Sequence, residues 1–250
     1  MQDTKISLTD ASAHARAHTE RPARRLNILI ACEESQAECS AFRALGHNAY
    51  SCDIQPCRKG GNPYWHIQGD VAPLLEGDTA FNTQAGFLRC VPRWDLIIAH
   101  PPCTYLCKVG SPWMHQDEDL EISVGGLTMR VNSERYSKMC DARKFFFKCL
   151  NAQAPFVAVE NPLPMRIAQL PKPTTFIEPF WFGVKYSKKT LFWLKNLPPI
   201  MPEIMYPNPK CFVRASRGKY RSRTFPQVAA AIARQWGAYI LDELTHSNNH

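Results

Sequence analysis

The sequence predicts an α/β fold in which a mostly parallel sheet carries helices on both faces. Two observations lead to this prediction. Short apolar runs of the kind that form buried strands alternate along the chain with longer segments of helical periodicity. Polar or charged residues follow most of these apolar runs, and the carboxyl ends of parallel strands are where open α/β sheets bind ligands.

The first strand, helix and strand lie within residues 26–54. The run LNILIAC predicts a strand buried on both faces, SQAECSAFRALG has helical spacing and ends on a glycine, and HNAYSCDI predicts a second strand. Such a unit is parallel, with a right-handed connection. The second strand ends near Asp53, where folds of this kind place an acid on the hydroxyls of a ribose.

The rest of the chain continues this alternation. HIQGDV (66–71) is predicted to be a third short strand or a turn. Further strands are predicted in RWDLIIAHPPC (93–103), PFVAVENP (155–162) and TLFWL (190–194), and helices at 134–153 and 225–244. Two long connections, 108–135 and 162–189, are polar or rich in proline and aromatic residues. We expect them to be irregular lids or substrate-binding loops, because compact domains seldom contain long connections of another kind.

Composition divides the chain into four regions. Residues 1–25 are polar and basic and predict a disordered arm, whereas residues 26–195 contain the predicted sheet and form the main domain. Residues 196–224 form a small basic segment rich in proline, arginine and tyrosine, suited to phosphate contact and base stacking. Residues 225–250 contain a closing helix that is expected to return to the main domain.

Charge and cysteine content narrow the class of protein. The net charge of +8 favours a polyanionic partner, because lysine and arginine gain affinity by releasing counterions from phosphates. Ten cysteines without a signal peptide indicate reduced thiols in a cytoplasmic compartment. No apolar run reaches the roughly 18 residues of a membrane helix, so we expect a soluble protein without a membrane partner. We also expect a monomer. The cysteine and histidine spacing fits no compact zinc site, and no metal is expected.

Cys103 follows a strand and two prolines, so its thiol is predicted on a stiffened loop at the mouth of the sheet. There it could act as a nucleophile, with the carboxyl group of Glu160 at the end of another strand as a second functional group. It could equally be one of several small hydrophobic residues. Position alone does not decide between these interpretations.

The order of the motifs resembles that of the DNA cytosine-5 methyltransferases. HPPCTYL is similar to the Pro-Cys motif of that family, VAVENP to its Glu-Asn motif, and FGVKYSKKTLFWL to its Tyr-Gly-Val-Pro-Gln-x-Arg-x-Arg segment, with Lys188 at the first arginine. RTFPQVAAAIARQWG is similar to the closing helix, and the resemblance covers roughly residues 26–240. It implies the Rossmann-like fold of class I S-adenosylmethionine-dependent methyltransferases.

The resemblance also implies an activity: methylation of carbon 5 of cytosine in double-stranded DNA, with the target base flipped out. Cys103 would add to carbon 6 and Glu160, with a pKa raised by burial, would hold ring nitrogen 3, while Lys188 completes the catalytic set. The implied contacts to S-adenosylmethionine are Cys32, Glu33, Glu34, Ser35, Asp53 at the ribose, Ile54, Asp70 near the adenine, Val71 and Pro101. The implied substrate contacts are Asn161, Lys188, Arg217, Arg221 and Arg223.

The chain departs from the family in two places. ACEESQAEC replaces the usual glycine-rich cofactor loop, and only about thirty residues stand where the family has a large target-recognition region, so sequence readout is expected to be brief. One alternative keeps the cysteine adduct but changes the electrophile, or acts on RNA or a nucleotide. A second is a catalytically inert nucleic-acid-binding module. The compact chain suits DNA modification in a bacterial or phage-infected cell.

Overall fold

The computed structural model describes residues 24–212 and 224–246, so residues 1–23 of the predicted arm and much of the basic segment lie outside the described residues. The strands are β1 (Asn27–Ala31), β2 (Asn48–Asp53), β3 (His66–Gln68), β4 (Ala80–Asn82), β5 (Leu88–Cys90), β6 (Leu96–Ala99), β7 (Leu120–Val124), β8 (Leu127–Val131), β9 (Phe156–Asn161), β10 (Thr175–Ile177), β11 (Tyr186–Ser187), β12 (Thr190–Lys195) and β13 (Lys210–Cys211). The α-helices are α1 (Ala37–Ala44), α2 (Ala72–Leu75), α3 (Ser111–Met114), α4 (Ser133–Leu150) and α5 (Pro226–His246). Short 3-10 helices occur at Lys108–Gly110, Arg166–Ala168 and Pro179–Trp181.

Within the described residues, seven strands form one mixed sheet in the order β10-β12-β9-β6-β1-β2-β3. Pairing is parallel from β3 across to β9, and β12 runs antiparallel to both β9 and β10. The chain leaves β1 on one side towards β2 and returns on the other side at β6. The sheet therefore has a topological switch point between β1 and β6, where doubly wound sheets open a crevice at the carboxyl ends of the strands.

Helices cover both faces of the sheet, as the sequence predicts. Alternate residues of β1 face opposite sides: Leu29 packs with α2 and α4, whereas Ile28 and Ile30 pack with α1 and α5. Two apolar layers of buried side chains result, one centred near Phe146 of α4 and the other near Trp236 of α5. The predicted α/β class is confirmed, and both layers hold the strand ends in fixed positions.

The prediction that the two long connections are irregular is wrong. Residues 120–131 form an antiparallel hairpin of β7 and β8, which turns at Gly125 and Gly126. Both glycines have positive φ, 58° and 78°, as a tight two-residue hairpin turn requires. The second connection contributes β10 to the main sheet, because its three residues pair with β12 rather than forming a loop.

The predictions about cysteines and membranes can also be compared with the structure. All ten cysteines are free thiols. No helix in the part of the chain that the structure describes is both long and apolar enough to cross a bilayer.

Candidate active site

A cavity of about 500 Å³ opens at the carboxyl ends of the parallel strands. Most of the predicted site residues line it, and these are Cys32, Glu33, Glu34, Ser35, Asp53, Pro101, Cys103, Glu160, Asn161 and Lys188. They come from the last residues of β2 and β9, from the loops after β1 and β6, and from the connection before β12. The carboxyl ends of parallel neighbours meet at one edge of the sheet, which brings most of these residues together. The structure therefore brings the predicted cysteine, the predicted acid and the predicted cofactor loop to one space.

Three predicted cofactor contacts do not line this cavity in the described structure. Ile54 is exposed and Val71 is buried in the core beside α2. Asp70 uses its Oδ1 atom to accept the N–H of Ala72 at 2.9 Å, at the start of α2. The predicted substrate contacts Arg217, Arg221 and Arg223 lie outside the described residues.

The loop that carries Cys103 is held against the end of β9, which carries Glu160. β6 and β9 are neighbours in the sheet, so the two loops leave the same edge side by side. Asn161, which is almost fully buried, donates from Nδ2 to the carbonyl oxygen of Pro101 at 3.0 Å. Asn161, the residue after Glu160, thus connects the end of β9 to the loop that carries Cys103.

Backbone hydrogen bonds continue this connection beyond the site. Lys108 N–H donates to the carbonyl of Leu163 at 2.8 Å, and Met165 N–H donates to the carbonyl of Leu106 at 2.7 Å. Main-chain contacts therefore hold the segment after Cys103 against the segment after Glu160.

His100 connects Glu160 to a second buried acid, Glu38, and neither His100 nor Glu38 is among the predicted site residues. The Nδ1 atom of His100 is 3.1 Å from Oε2 of Glu160, and its Nε2 atom is 3.1 Å from Oε2 of Glu38. Glu38 is only 1% exposed. Burial lowers the pKa of His100, but the charges and hydrogen bonds of Glu38 and Glu160 outweigh burial and raise the pKa well above its usual value. His100 is therefore an imidazolium, and its two ring nitrogens face Glu160 and Glu38.

The prediction of a raised pKa for Glu160 is wrong. Burial does raise the pKa of this carboxyl group, but the hydrogen bond and charge of His100 and the charge of Lys188 more than offset burial, so the pKa lies below its ordinary value. Glu160 is ionised at neutral pH. A proton delivered through Glu160 therefore comes first from His100, which is hydrogen-bonded to it.

Glu33 lines the cavity and also caps the start of α1. Its carboxylate accepts the backbone N–H groups of Glu38 at 2.8 Å and Cys39 at 3.3 Å, which lie in the first turn of α1. Burial and the charge of Glu38 raise the pKa of Glu33 to about 7. Glu33 thus lines the cavity but uses its oxygens to satisfy the start of a helix.

The remaining loop residues form a polar wall on the β1 and β2 side of the cavity. Glu34 makes an ion pair with Arg58, and its Oε2 atom is buried without a hydrogen-bond partner within residues 24–212 and 224–246. Cys32 and Gln36 have φ values of 61° and 58°, so the loop adopts left-handed conformations without glycine. Such conformations in non-glycine residues are costly and cluster at functional sites.

Lys188 reaches the cavity from the opposite side. Its backbone N–H donates to Oε2 of Glu178 at 2.8 Å, and its ammonium group contributes positive charge near Glu160.

A scan against models of protein families finds no match for this chain, and no curated protein matches it.

Proposed function

We propose that the protein methylates carbon 5 of cytosine in DNA with S-adenosylmethionine, through a covalent adduct between Cys103 and carbon 6 of the base. The observation that carries this proposal is that Cys103 and Glu160 line one cavity together with Asp53. A thiol and a carboxyl group facing one space are the two groups that this chemistry needs. The same cavity offers an acid at the strand end where a ribose is held.

The donors and acceptors around the cavity fit the cofactor. Asp53 has a carboxylate for ribose hydroxyls, Glu34 has a buried and unpartnered Oε2 atom for an ammonium group, and Arg58 has a guanidinium for a carboxylate. When bound, S-adenosylmethionine supplies an electrophilic methyl group. The cavity volume of about 500 Å³ lies within the roughly 300–1,000 Å³ usual for ligand pockets.

The chain's own residues then prepare the base for methyl transfer. Carbon 5 of cytosine becomes nucleophilic when the sulfur of Cys103 adds to carbon 6 and ring nitrogen 3 gains a proton. Because Glu160 is ionised, its carboxylate accepts a hydrogen bond from the exocyclic amine of the base. The same carboxylate passes a proton from Nδ1 of His100 to ring nitrogen 3. After transfer, a water molecule from solvent takes the carbon 5 proton, the carbon–sulfur bond breaks with its electron pair returning to Cys103, and the proton on nitrogen 3 returns to the Glu160–His100 pair.

Mass spectrometry of nucleosides tests the proposal. Double-stranded DNA of mixed sequence is incubated with the protein and S-adenosylmethionine and digested, and we expect a deoxycytidine heavier by one methyl group. Cys103→Ser abolishes the product, while Cys90→Ser, at an exposed thiol on β5 outside the cavity, leaves it unchanged. Binding of the cofactor is followed in parallel by calorimetry, and Cys103→Ser is expected to retain it.

The same measurement decides between this proposal and its alternatives. A modified cytosine of another mass overturns methylation but retains the cysteine adduct. A methylated product on RNA or on a free nucleotide, with none on DNA, overturns the assignment of DNA as the substrate. No product together with no cofactor binding overturns the enzyme proposal and leaves a nucleic-acid-binding protein.

A further inference from the structure

The turn that carries Cys103 also borders a second cavity, of about 260 Å³. The backbone N–H groups of Leu106 and Cys107 both donate to the carbonyl oxygen of Cys103, at 3.0 and 2.9 Å, so the turn is tight. Cys103 and Cys107 line the main cavity, whereas Tyr105 lines the second one. One short turn therefore forms part of the wall of each cavity.

Arg135 of α4 joins the second cavity to this turn. Its Nη2 atom donates to the carbonyl oxygen of Thr104 at 3.1 Å. Gly110 permits this approach, because a β-carbon there would lie 2.8 Å from that carbonyl oxygen and 2.9 Å from Nη2. The Nε atom of Arg135 is buried with no hydrogen-bond partner among the residues that the structure describes. The guanidinium is thus held at one nitrogen and has further N–H donors.

Two aromatic rings pack on the guanidinium of Arg135. Its Cζ atom is 5.0 Å from the ring centre of Tyr105 and 5.7 Å from that of Trp113. Trp113 is 53% exposed, although the next residue, Met114, is completely buried and anchors α3. An exposed indole beside a stacked guanidinium offers a surface on which a flat nucleobase can stack.

The polar lining of this cavity fits a base better than a phosphate. Asp117 and Glu134 are negative and Arg135 and Lys138 are positive, so the four charges cancel. Glu134 and Lys138 pair with each other, so we expect Asp117 and Arg135 to supply the contacts to a ligand. Together they accept from N–H groups and donate to acceptors, and guanine has both, with N1–H and an amino group beside O6 and N7. The volume lies below the roughly 300–1,000 Å³ of pockets for larger ligands, as expected for a base alone.

We propose that this second cavity binds an unstacked guanine base, with its ring on Trp113, its N–H donors on Asp117 and its acceptor atoms on Arg135. The base comes from the DNA substrate or from a free guanine nucleotide. DNA fits a cavity that shares the Cys103 turn, because flipping a base also breaks the stacking and pairing of the bases beside it. That use rests on the proposed function. Binding of guanine needs neither cofactor nor methylation, so the two proposals can fail separately.

Short single-stranded oligonucleotides test the site in the full chain without S-adenosylmethionine. Fluorescence anisotropy gives the Kd of an oligonucleotide of thymines and of the same strand with one central guanine or adenine. We expect the guanine to lower the Kd by at least about 5-fold relative to thymine, as one stacked base does. An adenine that lowers the Kd as much as guanine overturns the assignment to guanine.

Two variants show whether the effect arises in this cavity. Trp113→Ala should reduce the advantage of guanine over thymine to less than about 2-fold, because the stacking surface is lost. Asp117→Asn should reduce the advantage of guanine over adenine, because the amide no longer accepts two N–H groups. Tyr64→Ala, at an exposed aromatic residue outside the cavity, is the control and should match the wild type. A guanine advantage that persists in folded Trp113→Ala overturns the site.

Guanosine monophosphate distinguishes the two sources of the base. Its binding to the wild type and to Trp113→Ala is measured by calorimetry. A guanine advantage in the oligonucleotide that depends on Trp113 assigns the site to nucleic acid. Binding of the monophosphate that depends on Trp113, with equal Kd values for the guanine and thymine oligonucleotides, assigns it to the free nucleotide. Equal Kd values together with no binding of the monophosphate overturn the proposal, whatever the outcome of the nucleoside experiment.

Discussion

His100 is the residue on which the electrostatics of the site depend. Its two ring nitrogens face Glu160 and Glu38 at 3.1 Å each, and the side chain of Glu38 is almost completely removed from water. Two carboxylates held this close need a positive charge between them, because desolvation and mutual repulsion would otherwise force protonation. His100 therefore contributes to the stability of the folded chain as well as to the supply of a proton.

Replacing His100 by leucine tests this contribution. We expect His100→Leu to lower the free energy of unfolding by about 3–5 kcal/mol, because removing one member of a buried charge group leaves the others uncompensated. The measurement is urea denaturation at pH 7. His115→Leu is the matched control, since His115 pairs with Glu118 at an exposed position and should change stability by less than about 1 kcal/mol. Equal effects of the two substitutions would contradict the role of His100.

At this scale the sequence predicts part of the site. Cys103 and Glu160 could be paired in advance because each follows a strand, and strand ends of one sheet meet at one edge. The partnership of His100 with Glu38 could not be predicted, because the two residues are 62 positions apart and Glu38 lies on a helix. A signal was present, however: Glu38 interrupts a helix face that otherwise carries Cys39 and Phe42.

Helix α1 begins on a carboxyl group that titrates near neutral pH. Glu33 accepts two backbone N–H groups of the first turn, while Gln36 before the helix has a left-handed conformation and its side chain makes no cap to the helix. The pKa of Glu33 is raised by burial and by the nearby charge of Glu38 to about 7. The start of α1 and the predicted cofactor loop are consequently linked to pH through one residue.

The stability of the chain should depend on pH through this carboxyl group. In the unfolded chain Glu33 loses its proton near pH 4.5, whereas the folded chain retains it up to about pH 7. The folded state thus binds the additional proton, and its stability falls as the pH rises through this window. A pKa shift of one unit corresponds to about 1.4 kcal/mol, so Glu33 should remove on the order of 3 kcal/mol between pH 4.5 and 7.

Glu33→Gln measures this contribution because glutamine does not titrate. The free energy of unfolding of the wild type minus that of Glu33→Gln should fall by on the order of 3 kcal/mol across the window, followed by urea denaturation at several pH values. Glu121→Gln, at an exposed position on β7, should give a constant difference. A difference that rises with pH for Glu33→Gln would show that the acid is stabilised, not destabilised, in its ionised form.

At the scale of elements, the sequence predicts the parallel strands well and the irregular regions poorly. Long apolar runs such as β1 and β9 are recognisable because both of their faces are buried. The hairpin of β7 and β8 was missed although LEISV and LTMRV alternate around Gly125 and Gly126. β10 could not be predicted, since three residues carry no periodicity and only pairing with β12 makes them a strand.

The charge of the whole molecule bears on the proposed DNA partner. The net charge is +8, and Arg58, Lys188 and Lys189 line the cavity itself. The predicted substrate contacts Arg217, Arg221 and Arg223 add three more positive charges to the sequence immediately before Thr224, which lines the cavity. Binding through such charges releases counterions from DNA and is weakened by salt.

Salt dependence measures how many of these charges contact phosphate. The logarithm of the association constant for duplex DNA should fall linearly with the logarithm of salt concentration, by about 0.9 per phosphate contact. Replacing Arg217, Arg221 and Arg223 by alanine should reduce this slope by about 2–3, measured by fluorescence anisotropy at five salt concentrations. The control replaces three exposed basic residues elsewhere, Arg89, Lys144 and Lys172, and removes the same net charge. Equal slopes for the two variants would assign binding to net charge alone.

The edge strands of the main sheet affect whether copies of the molecule can aggregate. β3 and β10 are the two edge strands, and each is only three residues long. The N–H of Gln84 already donates to the carbonyl of His66 at 2.7 Å, so the outer side of β3 is partly occupied. A neighbouring chain that tries to extend the sheet therefore finds few vacant main-chain groups to pair with, and fibre growth by strand addition has little template in the native state.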